Sequence, residues 1–65
     1  MCESDVYIIE NGKEKILLNE VSSLKLENNT ALLQNIYGEK KKLEHVKRII
    51  IDFLKHKVLI EVEGA

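Results

Sequence analysis

The sequence predicts an all-β fold in which about six short antiparallel strands form a strongly bent sheet or a partly open β-barrel. Three observations predict this class. β-Branched and aromatic residues occur in short runs, turn-forming Asn and Gly residues separate those runs, and proline is absent. Short strands at regular spacing with turn signals between them are typical of small barrels and sandwiches. A chain of 65 residues is enough for a single domain, spanning residues 1–65.

The first two strands are predicted to form a hairpin. The run from Val6 to Glu10 is β-branched and aromatic, and Asn11-Gly12 follows it directly. Asn-Gly between apolar runs is the strongest short-range hairpin signal, because both central residues of a type I′ turn need a positive φ. The return strand is predicted over Lys13 to Glu20. Val21-Ser22-Ser23 is then predicted to be a bend or a connecting turn.

The next two strands are predicted from alternation. Leu24 to Glu27 alternates between apolar and polar residues, which indicates a strand with one wet face. Asn28-Asn29 is a turn pair that tolerates left-handed backbone. Thr30 to Ile36 is predicted to be the following strand. Successive strand residues point to opposite faces, so Leu33 is expected to lie opposite to Leu32.

The stretch from Glu39 to Leu54, which follows a predicted turn at Tyr37-Gly38-Glu39, is ambiguous. Lysine, glutamate and leucine favour a helix, and four apolar residues recur there at helical spacing: Leu43, Val46, Ile50 and Phe53. The β-branched run within Arg48 to Phe53 favours a pleated strand instead. We therefore expect strands in this stretch.

The end of the chain is predicted to form one more strand. Residues 54–57 are expected to turn into a strand over Val58 to Val62. Residues 63–65 are expected to fray, as chain ends commonly do.

The leading end of the chain carries the most distinctive ligand chemistry. Cys2 is the only cysteine, and a terminal amine at Met1 would lie close to its sulfur. A thiolate is a strong donor to late first-row metals, and an α-amine also titrates low enough to bind them. One cysteine cannot fill a coordination sphere, but a two-fold dimer would bring two Cys2 residues together. The plainer interpretation is a small apolar residue or an exposed thiol.

The apolar pattern predicts a second covered face, and hence a homodimer. Val6 and Ile8 point one way in a strand while Tyr7 and Ile9 point the other, so the first strand is apolar on both sides. A small barrel has only one interior, so a second apolar face suggests a partner, most simply another copy. A domain of this size also gains stability from association.

Composition excludes several function classes. The chain has 10 basic and 11 acidic residues and a net charge of -1, so no overall field attracts nucleic acid or anionic lipid. No apolar stretch approaches the roughly 20 residues of a membrane helix, and we expect a cytoplasmic protein. No phosphate-binding glycine loop or catalytic pair stands out, so we do not expect an enzyme.

Two other groups of residues are weaker candidates for a site. His45 and His56 could be outer metal ligands, but solvated turn or strand histidines are the commoner case. The strip Lys40-Lys41-Lys42, with Tyr37 and Phe53 for stacking, offers an alternative function as a binding module for RNA or a protein partner. Acidic residues interrupt this strip, as on an ordinary solvated face.

Three segments resemble the CooT family of small nickel-binding proteins: Met1 to Ile8, Asn35 to Glu39, and Ile51 to Val58. The resemblance covers essentially the whole chain, and the Met-Cys start and the glycine turn are its sharpest features. It implies an SH3-like β-barrel that forms a homodimer and binds Ni(II), one per dimer, at the interface through Cys2. It also implies a role as a metal carrier, donor or sensor in maturation of carbon monoxide dehydrogenase.

Overall fold

The computed structural model describes residues 3–64, and these residues form six β-strands. In chain order the strands are β1 (Ser4–Glu10), β2 (Lys13–Glu27), β3 (Thr30–Asn35), β4 (Lys40–Leu43), β5 (Val46–Asp52) and β6 (Lys57–Val62). The all-β prediction is therefore confirmed, and the stretch over residues 39–54 is strand and turn without helix. Within residues 3–64 no helix is long and apolar enough to cross a membrane.

The six strands form one open sheet in the order β4-β3-β2-β1-β6-β5. Four of the five neighbouring pairs are antiparallel, as predicted, but β1 pairs with β6 in parallel. This parallel pair lies in the interior of the sheet, next to the central pair β2–β1. The expectation of a purely antiparallel sheet was wrong at this position because alternation along one strand does not encode the direction of its partner.

The predicted hairpin between β1 and β2 is confirmed. Asn11 and Gly12 connect the two strands with φ values of 50° and 75°, the positive pair that a type I′ turn requires. Of the two alternatives predicted at residues 21–23, the connecting turn is wrong, because β2 continues to Glu27, whereas the bend is confirmed. Glu20 adopts a φ of 54° and the β2–β3 register shifts between Val21 and Ser23. A bulge therefore bends β2 so that its two halves pair with different strands.

The core lies on the concave side of this bent sheet. Its buried apolar side chains come from five of the six strands: Val6, Leu18, Val21, Ala31, Leu33, Val46, Val58 and Ile60. The alternation predicted for β3 is confirmed, since Leu33 is 2% exposed and Leu32 is 44% exposed. In β3 and β6 the core residues alternate along the strand, whereas Leu18 and Val21 of β2 are three residues apart because the bulge lies between them.

The two edge strands, β4 and β5, are consecutive in the chain. They are joined by Glu44 and His45, and the backbone N–H of Val46 donates to the Asn29 carbonyl at 2.8 Å, which ties the start of β5 to the turn between β2 and β3. The Glu63 N–H donates to the His45 carbonyl at 2.8 Å. This hydrogen bond holds Glu63 in place. The prediction that residues 63–65 fray is therefore wrong at Glu63.

The opposite face of the sheet carries an apolar row across four strands. Cross-strand pairing aligns Ile16 with Tyr7, Tyr7 with Leu59, and Leu59 with Ile50. The Lys57 ammonium lies 4.8 Å from the centre of the Tyr7 ring and covers part of this row. The first strand therefore has apolar side chains on both sides, as its sequence predicted.

Candidate metal site

The predicted metal ligand, Cys2, lies outside the described residues. The structure does describe the residues that follow it, from Glu3 onward. Ser4 begins β1 and pairs with Val21 of β2. The backbone N–H of Asp5 donates to the His56 carbonyl at 3.0 Å. The start of β1 is therefore fixed between the bend of β2 and the turn that precedes β6.

The Asp5 side chain stabilises the bend in β2. Its Oδ1 accepts a hydrogen bond from the backbone N–H of Glu20 at 3.1 Å. The Glu20 carbonyl in turn accepts from the Ile36 N–H at 3.0 Å. Because Glu20 holds a positive φ that disfavours a side chain with a Cβ, these bonds offset a local cost. Three segments that are distant in sequence meet at this bulge.

The loop after β3 is organised by the side chain of Asn35, which is 3% exposed. Its Oδ1 accepts the backbone N–H groups of Tyr37 and Glu39 at 3.1 and 2.8 Å. Its Nδ2 donates to the Glu39 carboxylate at 2.7 Å, and its carbonyl accepts from the Gly38 N–H at 3.1 Å. The turn predicted at residues 37–39 is therefore confirmed, and a buried amide holds it.

This loop presents Tyr37 to the bulge beside the start of β1. Hydrogen bonding to the Glu20 carboxylate, together with the negative charge of that group, raises the pKa of Tyr37 above its ordinary value of 10.0. The carboxylates of Glu3 and Glu39 raise the pKa further through their charge. Acidic groups from three segments thus raise the pKa of Tyr37, and one of them is Glu3, the residue that follows Cys2.

A groove opens on the other side of the start of β1, between the second half of β2 and the end of β5. Its volume is about 490 Å³, and we call it the β1 groove. Side chains from its rim and walls include Ser4, Ser22, Leu24, Ile51, Phe53 and His56. Phe53 is 81% exposed and the adjacent Leu54 is 96% exposed. Large exposed apolar side chains thus lie beside the start of β1, where Ser4 is two residues after Cys2.

The described residues do not form a metal site among themselves. Within residues 3–64 no three His, Cys, Asp or Glu side chains come close enough to hold one ion. His45 and His56 are exposed and lie in turns with φ values of 60° and 51°. Both histidines therefore occupy the exposed turn positions that the commoner interpretation expected.

The lysine strip is divided between two faces of the sheet. Cross-strand pairing aligns Lys40 with Gln34 and Lys42 with Leu32 on the convex side, whereas Lys41 pairs with the buried Leu33. The sequence suggested Tyr37 and Phe53 as stacking partners. Phe53 lines the β1 groove, and neither residue lines the groove formed by Lys40 and Lys42. The stacking arrangement expected for an RNA-binding module is not assembled.

The residues that shape this region include two that sequence reasoning missed. Asn35 had a detectable signal, because Asn side chains before a glycine turn commonly accept backbone N–H groups two residues on. Glu20 had no such signal. Its positive φ follows from the bulge in β2, and the bulge follows from pairing with two different strands.

Comparisons with known proteins agree with this architecture. The family described as "CO dehydrogenase accessory protein CooT" matches residues 1–61. A crystal structure of a protein provisionally assigned as CooT from Carboxydothermus hydrogenoformans superposes with a TM-score of 0.83 at 30% sequence identity. The match covers 97% of this chain and 100% of that one. No curated protein gives a significant sequence match. The chain therefore belongs to the CooT family of CO dehydrogenase accessory proteins.

Proposed function

We propose that this protein is a homodimeric nickel-binding accessory protein that holds Ni(II) at the dimer interface through Cys2 of each chain. Its role is to carry, donate or sense the metal during maturation of carbon monoxide dehydrogenase. The observation that carries this proposal is that the family match begins at residue 1 and so includes Cys2, the only cysteine of the chain.

The chemistry of Cys2 suits this cargo. Thiolate sulfur is a soft donor, and tetragonal nitrogen and sulfur donation suits Ni(II). One thiolate leaves most of the coordination sphere open, whereas two chains related by a two-fold axis supply two. The thiol must lose its proton before it binds, so nickel affinity rises with pH. Main-chain nitrogen near each sulfur would complete the donor set.

The β1 groove supports the dimeric arrangement. Its exposed apolar residues, Ile51 and Phe53, lie beside Ser4, two residues after Cys2. Large exposed apolar side chains of this kind mark interaction sites when they lie together. A second copy covering this groove would bury them and would bring the two leading ends towards the same axis. Dimer formation and completion of the metal site are then a single event.

Calorimetric titration of Ni(II) tests the assignment. Wild-type protein is expected to bind one Ni(II) per two chains, and Cys2→Ser is expected to lose this binding. His56→Asn is the matched control, because it removes the imidazole beside the β1 groove while asparagine tolerates its φ of 51°. This control is expected to bind as the wild type does. Equal nickel binding by wild type and Cys2→Ser would remove Cys2 from the site.

Sedimentation equilibrium tests the dimer separately. A homodimer is expected at micromolar concentration, with added Ni(II) strengthening association because the ion binds only the paired state. A monomer that binds one Ni(II) per chain would contradict the shared site.

A further inference from the structure

A second groove lies on the face of the sheet opposite the core, away from the start of β1. It is a groove of about 360 Å³ across the second half of β2, β3 and β4, and we call it the lysine groove. The side chains on its face come from two cross-strand rows, which are Lys25-Leu32-Lys42 and Ser23-Gln34-Lys40. Directly paired residues share a face, so three lysines lie on the same face as Leu32, two of them paired directly with it; Leu33 and Lys41 complete the lining.

The charge of the lysine groove is poorly compensated within the described part of the chain. Lys25 makes an exposed contact of 3.9 Å with Glu27, and within residues 3–64 no ion pair forms at Lys40 or Lys42. Glu39 and Glu44 flank β4 in sequence, and within residues 3–64 neither forms an ion pair with Lys40 or Lys42. A locally positive face therefore exists on a chain whose net charge is -1.

Lysines on an edge strand commonly prevent sheets from pairing edge to edge. That role would account for the lysines of β4, which is an edge strand. It does not account for Lys25, which lies two strands further into the sheet, or for Leu32, which is 44% exposed between Lys25 and Lys42. Charges that flank an exposed apolar residue are the arrangement of a recognition surface, with an apolar contact at the centre and a charged rim.

We propose that the lysine groove docks an extended acidic segment of a partner protein. The segment places an apolar side chain on Leu32 and carboxylates towards Lys25, Lys40 and Lys42, and Ser23 and Gln34 supply hydrogen-bonding groups on the same face. Charge complementarity selects an acidic occupant. A peptide is favoured over single-stranded nucleic acid because no aromatic side chain, on which bases would stack, is among the described residues of the groove.

Fluorescence anisotropy with a labelled octapeptide of alternating glutamate and leucine tests this docking site. Wild-type protein is expected to bind the peptide at low salt, more weakly as salt rises, and not to bind the matching lysine–leucine peptide. The double variant Lys25→Glu/Lys42→Glu is expected to weaken binding at least about tenfold, since each reversal replaces an attraction with a repulsion. Leu32→Gln, which leaves the charge unchanged, is expected to weaken it about threefold.

The matched control is Lys13→Glu/Lys55→Glu, which makes the same charge change at two exposed residues outside the groove. It is expected to retain most of the affinity, and circular dichroism of each variant verifies the fold. Equal loss in both double variants would overturn the proposal, because binding would then follow net charge alone. Tighter binding of a twelve-nucleotide RNA than of the acidic peptide would also overturn it. Cys2→Ser is expected to bind the peptide as the wild type does, which separates this site from the nickel site.

Discussion

The side-chain amide of Asn35 donates a hydrogen bond of 2.7 Å to the carboxylate of Glu39, four residues further on. The same Asn35 side chain accepts the N–H groups of Tyr37 and Glu39. A single buried polar residue thus satisfies the backbone of the loop that places Tyr37 beside Glu20. The geometry of this loop depends on one amide rather than on apolar packing, because Ile36 and Tyr37 are both exposed.

Asn35→Ala is expected to destabilise the protein by about 2–3 kcal/mol, because it leaves the N–H groups of Tyr37 and Glu39 without their partner. Urea unfolding followed by circular dichroism measures the free energy. Asn19→Ala is the matched control, since Asn19 is an exposed residue of β2, and it is expected to change stability by less than about 0.5 kcal/mol. Similar effects of the two substitutions would show that the Asn35 hydrogen bonds contribute little.

The two leucines in the middle of β3 are expected to differ sharply in their contribution to stability. Leu33 is 2% exposed and Leu32 is 44% exposed. Leu33→Ala is expected to cost about 2–5 kcal/mol, because it opens a cavity in a small core. Leu32→Ala is expected to cost less than about 1 kcal/mol, since it removes a side chain that is already partly hydrated. The reverse order in urea unfolding would contradict the face assignment.

The pattern that separated Leu32 from Leu33 was readable in the sequence, because alternation is a local property of one strand. The same holds for the Asn11-Gly12 hairpin and for the choice of strand over helix at Val46–Asp52. The parallel pairing of β1 with β6 was not readable, because it depends on a contact between the two ends of the chain. Local patterns set element type, and long-range pairing sets direction and register.

A bend was predicted at residues 21–23, but its form, a bulge within a continuous β2, was not readable in the sequence for a related reason. Val21-Ser22-Ser23 has the composition of a turn, yet Val21 is a buried core residue and β2 continues through it. The bend includes Glu20, whose positive φ is stabilised from β1 by the Asp5 carboxylate, which accepts the Glu20 N–H. At the candidate site, Cys2 was predicted as a metal ligand from its chemistry and from the resemblance of the chain to the CooT family. The neighbouring roles of Asp5 and Glu20 required the fold.

Lys57 is expected to make stability sensitive to alkaline pH. A hydrogen bond of 3.0 Å to the Glu14 carboxylate raises the pKa of Lys57 above its ordinary value of 10.5, although desolvation opposes this effect. A folded-state pKa above the unfolded value means that the stabilisation is fully present below pH 10.5 and is lost as pH rises through the folded pKa.

The test of Lys57 compares melting temperatures at about pH 9 and about pH 11.5, since arginine stays charged across this range. Wild type is expected to lose more thermal stability over the interval than Lys57→Arg. Lys13→Arg is the control, because within residues 3–64 Lys13 makes no ion pair, and it is expected to follow the wild type. An equal loss in wild type and Lys57→Arg would exclude a contribution from this pair. Tyr37, whose pKa is also raised, is common to all three proteins, so its ionisation does not affect the comparison.

Phe53 and Ile16 distinguish the two apolar surfaces that a second copy could cover. Phe53 is 81% exposed at the β1 groove, and Ile16 is 50% exposed on the opposite face. Because the β1 groove adjoins Ser4, Phe53→Ser is expected to raise the dimer dissociation constant at least about tenfold, as loss of an aromatic anchor commonly does. It should also weaken nickel binding, since the proposed shared site depends on association. Ile16→Ser is expected to change neither quantity. Sedimentation equilibrium and calorimetry measure both, and dissociation by Ile16→Ser alone would move the interface to the other face and separate it from Cys2.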